Sequence, residues 1–252
     1  VTAHLFAGYD FAYTWPWTYG HLIVALALAG AGRLGRNKLG RWISLALYGA
    51  AAWAFAGFLI VQLVFGYNSP QRMPTDRFML GARGEVLDIG CGSGRTTIMV
   101  GLARPWVRIA ALDNFSAQYI RNNGEDLLRQ NLRVAGIEDG RVRVLRADMR
   151  HIPAKDGEFD GVVSSYAIDH LNRKGIEQTL AEVARVLKPE GEFLLMVISS
   201  DAWLKVVYGP MLMHMRGVWP DYWQGSLEKV RLRVVEQGRT PGSAYFLCRK
   251  LP

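Results

Sequence analysis

The 252-residue chain has only two cysteines, Cys91 and Cys248, in segments that read as a strand end and a strand, and no metal-ligand spacing joins them. A disulfide framework and a zinc site are therefore not supported, and a reducing compartment is the simpler expectation. Acids are scarce at the front. Residues 1–65 hold one, Asp10, against the bases Arg33, Arg36, Lys38 and Arg41, so they carry +3 of the net charge of +8. The rest of the chain lacks any run of Lys and Arg interleaved with aromatics, which argues against nucleic acid. A membrane surface is the preferred acidic partner.

Half the residues are hydrophobic, enough for a sizeable core, and the apolar excess is concentrated at the front. Trp42 to Phe65 is uncharged, with Ser44 and Gln62 its most polar members, and at helical rise it extends about 36 Å, long enough to span a bilayer. Thr18 to Gly32 is also uncharged but reaches only about 22 Å. Trp15-Pro16-Trp17 before it suits a helix start with indoles at headgroup level. Ala25 and Ala29 in the first segment, and Ala46, Ala50 and Ala54 in the second, recur at a spacing that lets two helix backbones pack closely. Residues 1–65 thus read as a membrane-embedded helical hairpin, with association of chains through it left open.

The four bases between the helices predict a cytoplasmic loop, whereas the chemistry below requires the body of the protein in the cytoplasm. Either the hairpin is embedded without crossing, or the charge rule fails here, or a further segment precedes Val1. The expected location is the cytoplasmic membrane with the catalytic part facing the cytoplasm. Residues 66–83 read as a linker with Pro70, Pro74 and the bases Arg72, Arg77 and Arg83, which either touch headgroups or are solvated.

In residues 84–252 strand and helix patterns alternate. Val86 to Ile89 fills a buried strand and runs into Gly90-Cys91-Gly92-Ser93-Gly94, after which Arg95 to Leu102 is helix-compatible. Glycine is needed where backbone approaches a ligand or takes positive φ, and the new helix presents free N–H groups there. Asp88 is placed to orient the loop or meet a cationic ligand. A second strand, Val107 to Leu112, ends in Asp113 roughly twenty residues after the turn, where a nucleoside ribose is held by its hydroxyls. Asn114, Phe115 and Ser116 form the lip beside it.

A helix over 117–135, a strand over 141–147 ending at Asp148 and Met149, a strand over 159–165, a helix marked by Ile176, Leu180, Val183 and Leu187, and a strand over 192–199 follow. An aromatic and methionine-rich insertion at 201–223 reads as a covering loop, substrate lid or membrane flap. Strands over 230–236 and 244–249 are joined too closely for a crossover helix and must be antiparallel. The fold class is α/β: a doubly wound, mostly parallel sheet with a terminal antiparallel hairpin, ligands binding at the carboxyl ends of its strands.

Residues 84–250 resemble a class I S-adenosylmethionine-dependent methyltransferase. The resemblance rests on LDIGCGSG at 87–94, LDN at 112–114, RADM at 146–149, FDGVVSSYAIDHL at 159–171, VLKPEGEFLL at 186–195 and the closing hairpin. It implies S-adenosylmethionine as cofactor, with Asp88, Gly90, Gly92 and Gly94 around the methionine moiety. It puts Asp113 at the ribose, Asp148 and Met149 at the adenine, and Ser164 near the methyl-transfer region, with Cys91 and Asn114 also among the cofactor-binding residues. A dinucleotide-binding oxidoreductase shares the first strand and ribose acid, but its GxGxxG spacing differs from the GxGxG of Gly90, Gly92 and Gly94.

Such an enzyme mainly aligns a nucleophile and excludes water. Phe115 and Tyr166 are candidates to face the cationic sulfur. His170 with Asp169 is the candidate base, against a structural role for His170 in capping the next helix; His214 is a weaker alternative. The acceptor expected is lipid-phase or apolar: a quinone, an isoprenoid or a phospholipid headgroup. The alternatives are a small apolar thiol with the hairpin as a mere anchor, and a non-catalytic cofactor-binding membrane partner. Metalloid methylation is disfavoured, since that family uses several acceptor-site cysteines.

Overall fold

The computed structural model describes residues 8–38, 40–199, 204, 206, 207 and 220–252. Most of the predicted insertion, including His214, lies outside the described residues.

Two helices come first, α1 (Trp15–Gly35) and α2 (Arg41–Phe65). They pack on each other antiparallel, as three contacts along the seam show. Gln62 Nε2 donates to the Thr18 carbonyl at 2.7 Å, a Cβ on Gly57 would lie 2.8 Å from the His21 ring, and one on Gly32 would meet Leu47 at 3.4 Å. The buried seam is Thr18, Ala25 and Gly32 against Ser44, Ala51, Ala54, Gly57 and Val61. The expected four-residue alanine ladder is corrected: Ala46 is exposed and Ala50 half-buried, because the contact line follows a spacing nearer seven. The expectation of two helices able to cross a membrane is narrowed to one by hydropathy. Among the described residues one helix, Arg41–Phe65, is long and apolar enough to cross a membrane. Trp15 to His21 supplies α1 with proline, threonine, glycine and histidine, which dilute its hydropathy.

The remaining elements are β1 (Gly84–Ile89), α3 (Arg95–Ala103), β2 (Val107–Asp113), α4 (Glu125–Val134), β3 (Val142–Arg146), β4 (Phe159–Ser165), α5 (Arg173–Val186), β5 (Leu187–Ile198), α6 (Pro220–Lys229), β6 (Leu232–Thr240) and β7 (Ser243–Lys250). The strands form one sheet in the order β3-β2-β1-β4-β5-β7-β6. β1 to β5 run parallel; β7 is antiparallel to both β5 and β6. The chain order reverses between β1 and β4, and in such sheets the crevice at that switch point, outside the carboxyl ends, takes the ligand.

Alternation along β1 builds both layers of the core. Leu87 and Ile89 pack with Ile176, Leu180 and Val183 of α5 and with Trp223 and Leu227 of α6. Val86 faces the other layer, with Ile98 and Met99 of α3, Leu128 and Leu132 of α4, and Tyr9 and Phe11 of the stretch before α1.

Two boundaries differ from the sequence pattern. The helix expected over 117–135 begins only at Glu125, because residues 119–121 pair with the chain before α1: Thr14 N–H donates to the Tyr119 carbonyl and Arg121 N–H to that of Ala12. β5 starts at Leu187 rather than 192, absorbing the expected Lys-Pro-Glu-Gly turn as a register shift against β4. In the linker, Arg77 lies 3.6 Å from Glu236 and the Arg83 guanidinium sits 5.5 Å over the Trp106 ring.

Candidate active site

The loop after β1 holds positive φ at Gly90 (+77°), Gly92 (+47°) and Gly94 (+99°). At Gly90 the space is closed as well: a Cβ would lie 2.2 Å from the Cβ of Ala167. Only glycine fits there. The N–H groups of Gly90 and Cys91 both donate to the Leu112 carbonyl, at 2.8 and 3.1 Å, so the loop hangs from the end of β2.

Asp113 completes that attachment. Its Oδ2 accepts the Gly92 N–H at 2.8 Å and its Oδ1 the Phe115 N–H at 2.5 Å. Burial raises its pKa and these N–H donors oppose the rise. A carboxylate has about four acceptor positions, so these N–H bonds do not exhaust it. Asn114, exposed beside it, accepts from the Ser116 N–H at 3.0 Å and hydroxyl at 2.7 Å, which shapes the lip.

Asp88 is fully buried beneath the loop. Thr97 Oγ1 of α3 donates to its Oδ2 at 2.6 Å, and Oδ1 has no partner among the described residues. Burial pushes its pKa up to about 7; the Thr97 bond offsets part of this and the charge of Asp113 adds to it. The Cys91 thiol is pushed up by burial and then by both acids, so it is not a nucleophile at neutral pH.

At the end of β3 the two expected adenine residues behave differently. Met149 packs partly buried, its methyl 3.5 Å from where a Gly90 Cβ would sit. Asp148 is engaged by its neighbour: Arg150 Nε and a terminal nitrogen donate to it at 2.9 and 2.5 Å, and the Arg150 N–H at 2.8 Å. That guanidinium holds the carboxyl down at about 2.

The candidates after β4 do not converge. Ser164 is buried and its hydroxyl donates to the Ile89 carbonyl at 3.0 Å, stapling β4 to β1. The Tyr166 hydroxyl bonds that of Ser243 on β7 and accepts from Gln71 Nε2 at 3.2 Å; burial raises its pKa, so it stays a neutral phenol. Asp169 Oδ2 accepts the Ile198 N–H of β5 at 3.1 Å, and its other oxygen is buried without a partner among the described residues. Burial raises this carboxyl, against the charge of His170. His170 is exposed, its ring 5.9 Å from that of Tyr119. Asp169 thus braces β5, and His170, the other half of the expected base, is exposed with its charge acting on Asp169.

Sequence reasoning missed a ring cluster beside the site. Tyr119 lies 6.2 Å from Tyr13 and 6.0 Å from Trp17, and Tyr13 lies 4.8 Å from Tyr67, ring to ring. Burial raises the Tyr119 phenol, with smaller contributions from Tyr13, Asp113 and Asp169. Buried Asn131 of α4 donates to the carbonyls of Asp10, at 2.8 Å, and Ser93, at 2.9 Å, and so ties the stretch before α1 to the glycine loop. The only sequence signal was the aromatic density of residues 9–19, which reads equally well as a headgroup belt.

Residues 86–191 match the family described as a methyltransferase domain. The chain is similar to Methyltransferase GfsG of Streptomyces halstedii, 29% identical over 48% of this chain and 40% of that protein. It is also similar to a demethylmenaquinone methyltransferase of Lactiplantibacillus plantarum, 33% identical over 48% of each. The chain thus spans about half or less of the length of these relatives. An O-methyltransferase family protein from Burkholderia thailandensis shares the fold with a TM-score of 0.56, at 13% identity over 92% of this chain and 72% of that one. For a SAM-dependent methyltransferase from Methanosarcina mazei the TM-score is 0.53, at 19% identity over 66% of this chain and 92% of that one. Residues 86–191 thus carry a methyltransferase domain of the class I, S-adenosylmethionine-dependent kind, within a sheet whose fold the solved methyltransferases share.

Proposed function

We propose that this protein is a membrane-attached methyltransferase that moves the methyl group of S-adenosylmethionine to a lipid-phase acceptor: a quinone, an isoprenoid or a phospholipid headgroup. The observation that carries the reading is the position of an exposed apolar hairpin beside the donor loop. Of the most apolar window of α2, 22% is buried, unlike a core helix. Trp42, Trp53, Phe55, Leu59 and Leu63 stand exposed along it, Leu63 at 84%. The base of the same hairpin is seated on the sheet end: Val61 clusters with Tyr67, Leu204 and Val207, and a Cβ on Gly242 would meet Phe65 at 2.9 Å. An acceptor partitioned into a bilayer around α1 and α2 has a short path to the ends of β1 and β4. Two relatives carry names in keeping with this, the demethylmenaquinone methyltransferase and a sterol 4-C-methyltransferase of Caenorhabditis elegans, 28% identical over 43% of this chain.

The residues present fit S-adenosylmethionine. The glycine loop is a cradle that side chains would fill, Asp113 stands at the lip with acceptor capacity left for hydroxyls, and Asp88 presents beneath the loop an oxygen with no partner among the described residues. When bound, the cofactor supplies a methyl already activated on a sulfonium. The chain's part is then to hold and exclude. Gly90 to Gly94 receive the donor, Met149 and Phe115 present apolar walls, and the ring cluster of Tyr13, Trp17, Tyr67 and Tyr119 keeps water out. If the acceptor carries a proton, exposed His170 beside Tyr119 is the group placed to take it; buried Asp169 is not.

The test is labelled methyl transfer. Full-length protein, labelled S-adenosylmethionine and total lipid extract in vesicles are expected to give label in the organic phase. Label confined to aqueous metabolites would overturn the lipid acceptor, and absence of donor binding by calorimetry would overturn the enzyme.

A further inference from the structure

The end of α2 is incomplete by itself. It has no basic residue in its last turn, and its last carbonyls lack helical partners. The cation that meets them comes from the donor site. Arg95 is the first residue of α3, directly after the glycine loop. A terminal nitrogen of Arg95 donates to the carbonyls of Phe65 at 2.7 Å and Gly66 at 3.1 Å, and its Nε donates to that of Ser69 at 2.9 Å. The guanidinium also lies 5.8 Å from the Phe11 ring and 5.7 Å from the Tyr13 ring. In return the Arg95 carbonyl accepts the Gln71 N–H at 3.3 Å, and Gln71 continues to Tyr166. One half-buried side chain thus joins the hairpin, the linker, the stretch before α1 and the donor loop.

We propose that Arg95 is a positioning residue through which the seating of the hairpin sets the affinity of the donor site. The inference rests on the donor-site reading above. A guanidinium holds several carbonyls in one rigid fork, so a shift of the α2 end pulls directly on the residue after Gly94. Gly94 has little room to yield, since a Cβ there would already lie 2.6 Å from Leu128. Disorder at the hairpin base is therefore passed to the loop.

The experiment is calorimetric titration of the full-length protein in detergent with S-adenosylmethionine, on three single variants and one double variant. Arg95→Gln is expected to bind roughly ten-fold more weakly, the loss of about one charge-assisted bond. Arg95→Lys, which keeps the charge without the fork, is expected to recover part of this. Gly66→Val disturbs the same junction from the hairpin side, because Gly66 has φ +47° and a Cβ would lie 2.7 Å from Ser69 Oγ. It is expected to weaken donor binding as well, and the double variant to be no weaker than the poorer single one. Wild-type affinity in Arg95→Gln, or effects of Arg95→Gln and Gly66→Val that multiply, would overturn the proposal. If Arg95→Gln does not fold, wild-type affinity in both Arg95→Lys and Gly66→Val overturns it equally. Failure of the wild-type protein to bind the donor would instead remove the donor-site reading.

Discussion

Asp88, inside the end of β1, and Asp148, just past β3, are shifted in opposite directions. Asp148, gripped by Arg150 and held at about 2, adds stability above its unfolded pKa near 4, and that contribution is lost as the pH falls toward 2. Asp88 is raised to about 7 by burial, so between roughly pH 4 and 7 the unfolded chain ionises and the folded one resists. Stability falls as the pH rises through that window, by an amount on the order of 4 kcal/mol. Denaturant unfolding is expected to show this slope in the wild type and a flatter profile in Asp88→Asn. An identical profile in the variant would mean Asp88 is not the source. The spacing of Asp88, Gly90 to Gly94 and Asp113 was legible because one loop and one strand end supply it. The settings of Tyr166 and Asp169 were not, since their partners, Ser243 and Ile198, come from strands far along the chain.

At the scale of elements, the helical pair shows how local pattern and packing diverge. Apolar content marks α1 and α2, but which small residues face the seam depends on the phase at which two helices meet. That phase places Gly57 against His21, where a Cβ would come within 2.8 Å. Gly57→Leu is expected to force the helices apart at a cost of about 1–3 kcal/mol, read as a lowered melting temperature of the full chain in detergent. An unchanged melting temperature would show that the pair does not pack this way. The start of α4 was misread for a related reason. Residues 119–121 are compatible with a helix, yet their backbone groups bond to the chain before α1, which no short window reveals.

For the whole molecule, the proposed membrane attachment raises the question of which side of a bilayer the hairpin tip would face. Its bases cluster at the tip, Arg33 to Arg41, remote from the end seated on the sheet. A hairpin embedded from the cytoplasmic face leaves that tip open to protease added on the side of the catalytic domain. A spanning hairpin protects it. Because the charge bias favours a cytoplasmic loop, cleavage near Arg36 in vesicles with the catalytic domain outward is the expected result. Full protection of the tip alongside digestion of the domain would establish a span.

The amino-acid sequence by itself determined the alternation of strands and helices, the glycine loop with its ribose acid, the antiparallel close of the sheet and the apolar front. Each of these is written in periodicity or spacing over neighbouring residues, where local sterics and burial decide the outcome. Only the tertiary structure decided that Asp169 braces β5, that aromatics before α1 close over Tyr119, and that Arg95 carries the end of α2 to the donor loop. Those arrangements join groups far apart along the chain, and hydrogen bonds of that kind exist only once the sheet order has brought them together. The glycine loop names the donor; the seat of the hairpin is where the proposed acceptor is to be tested.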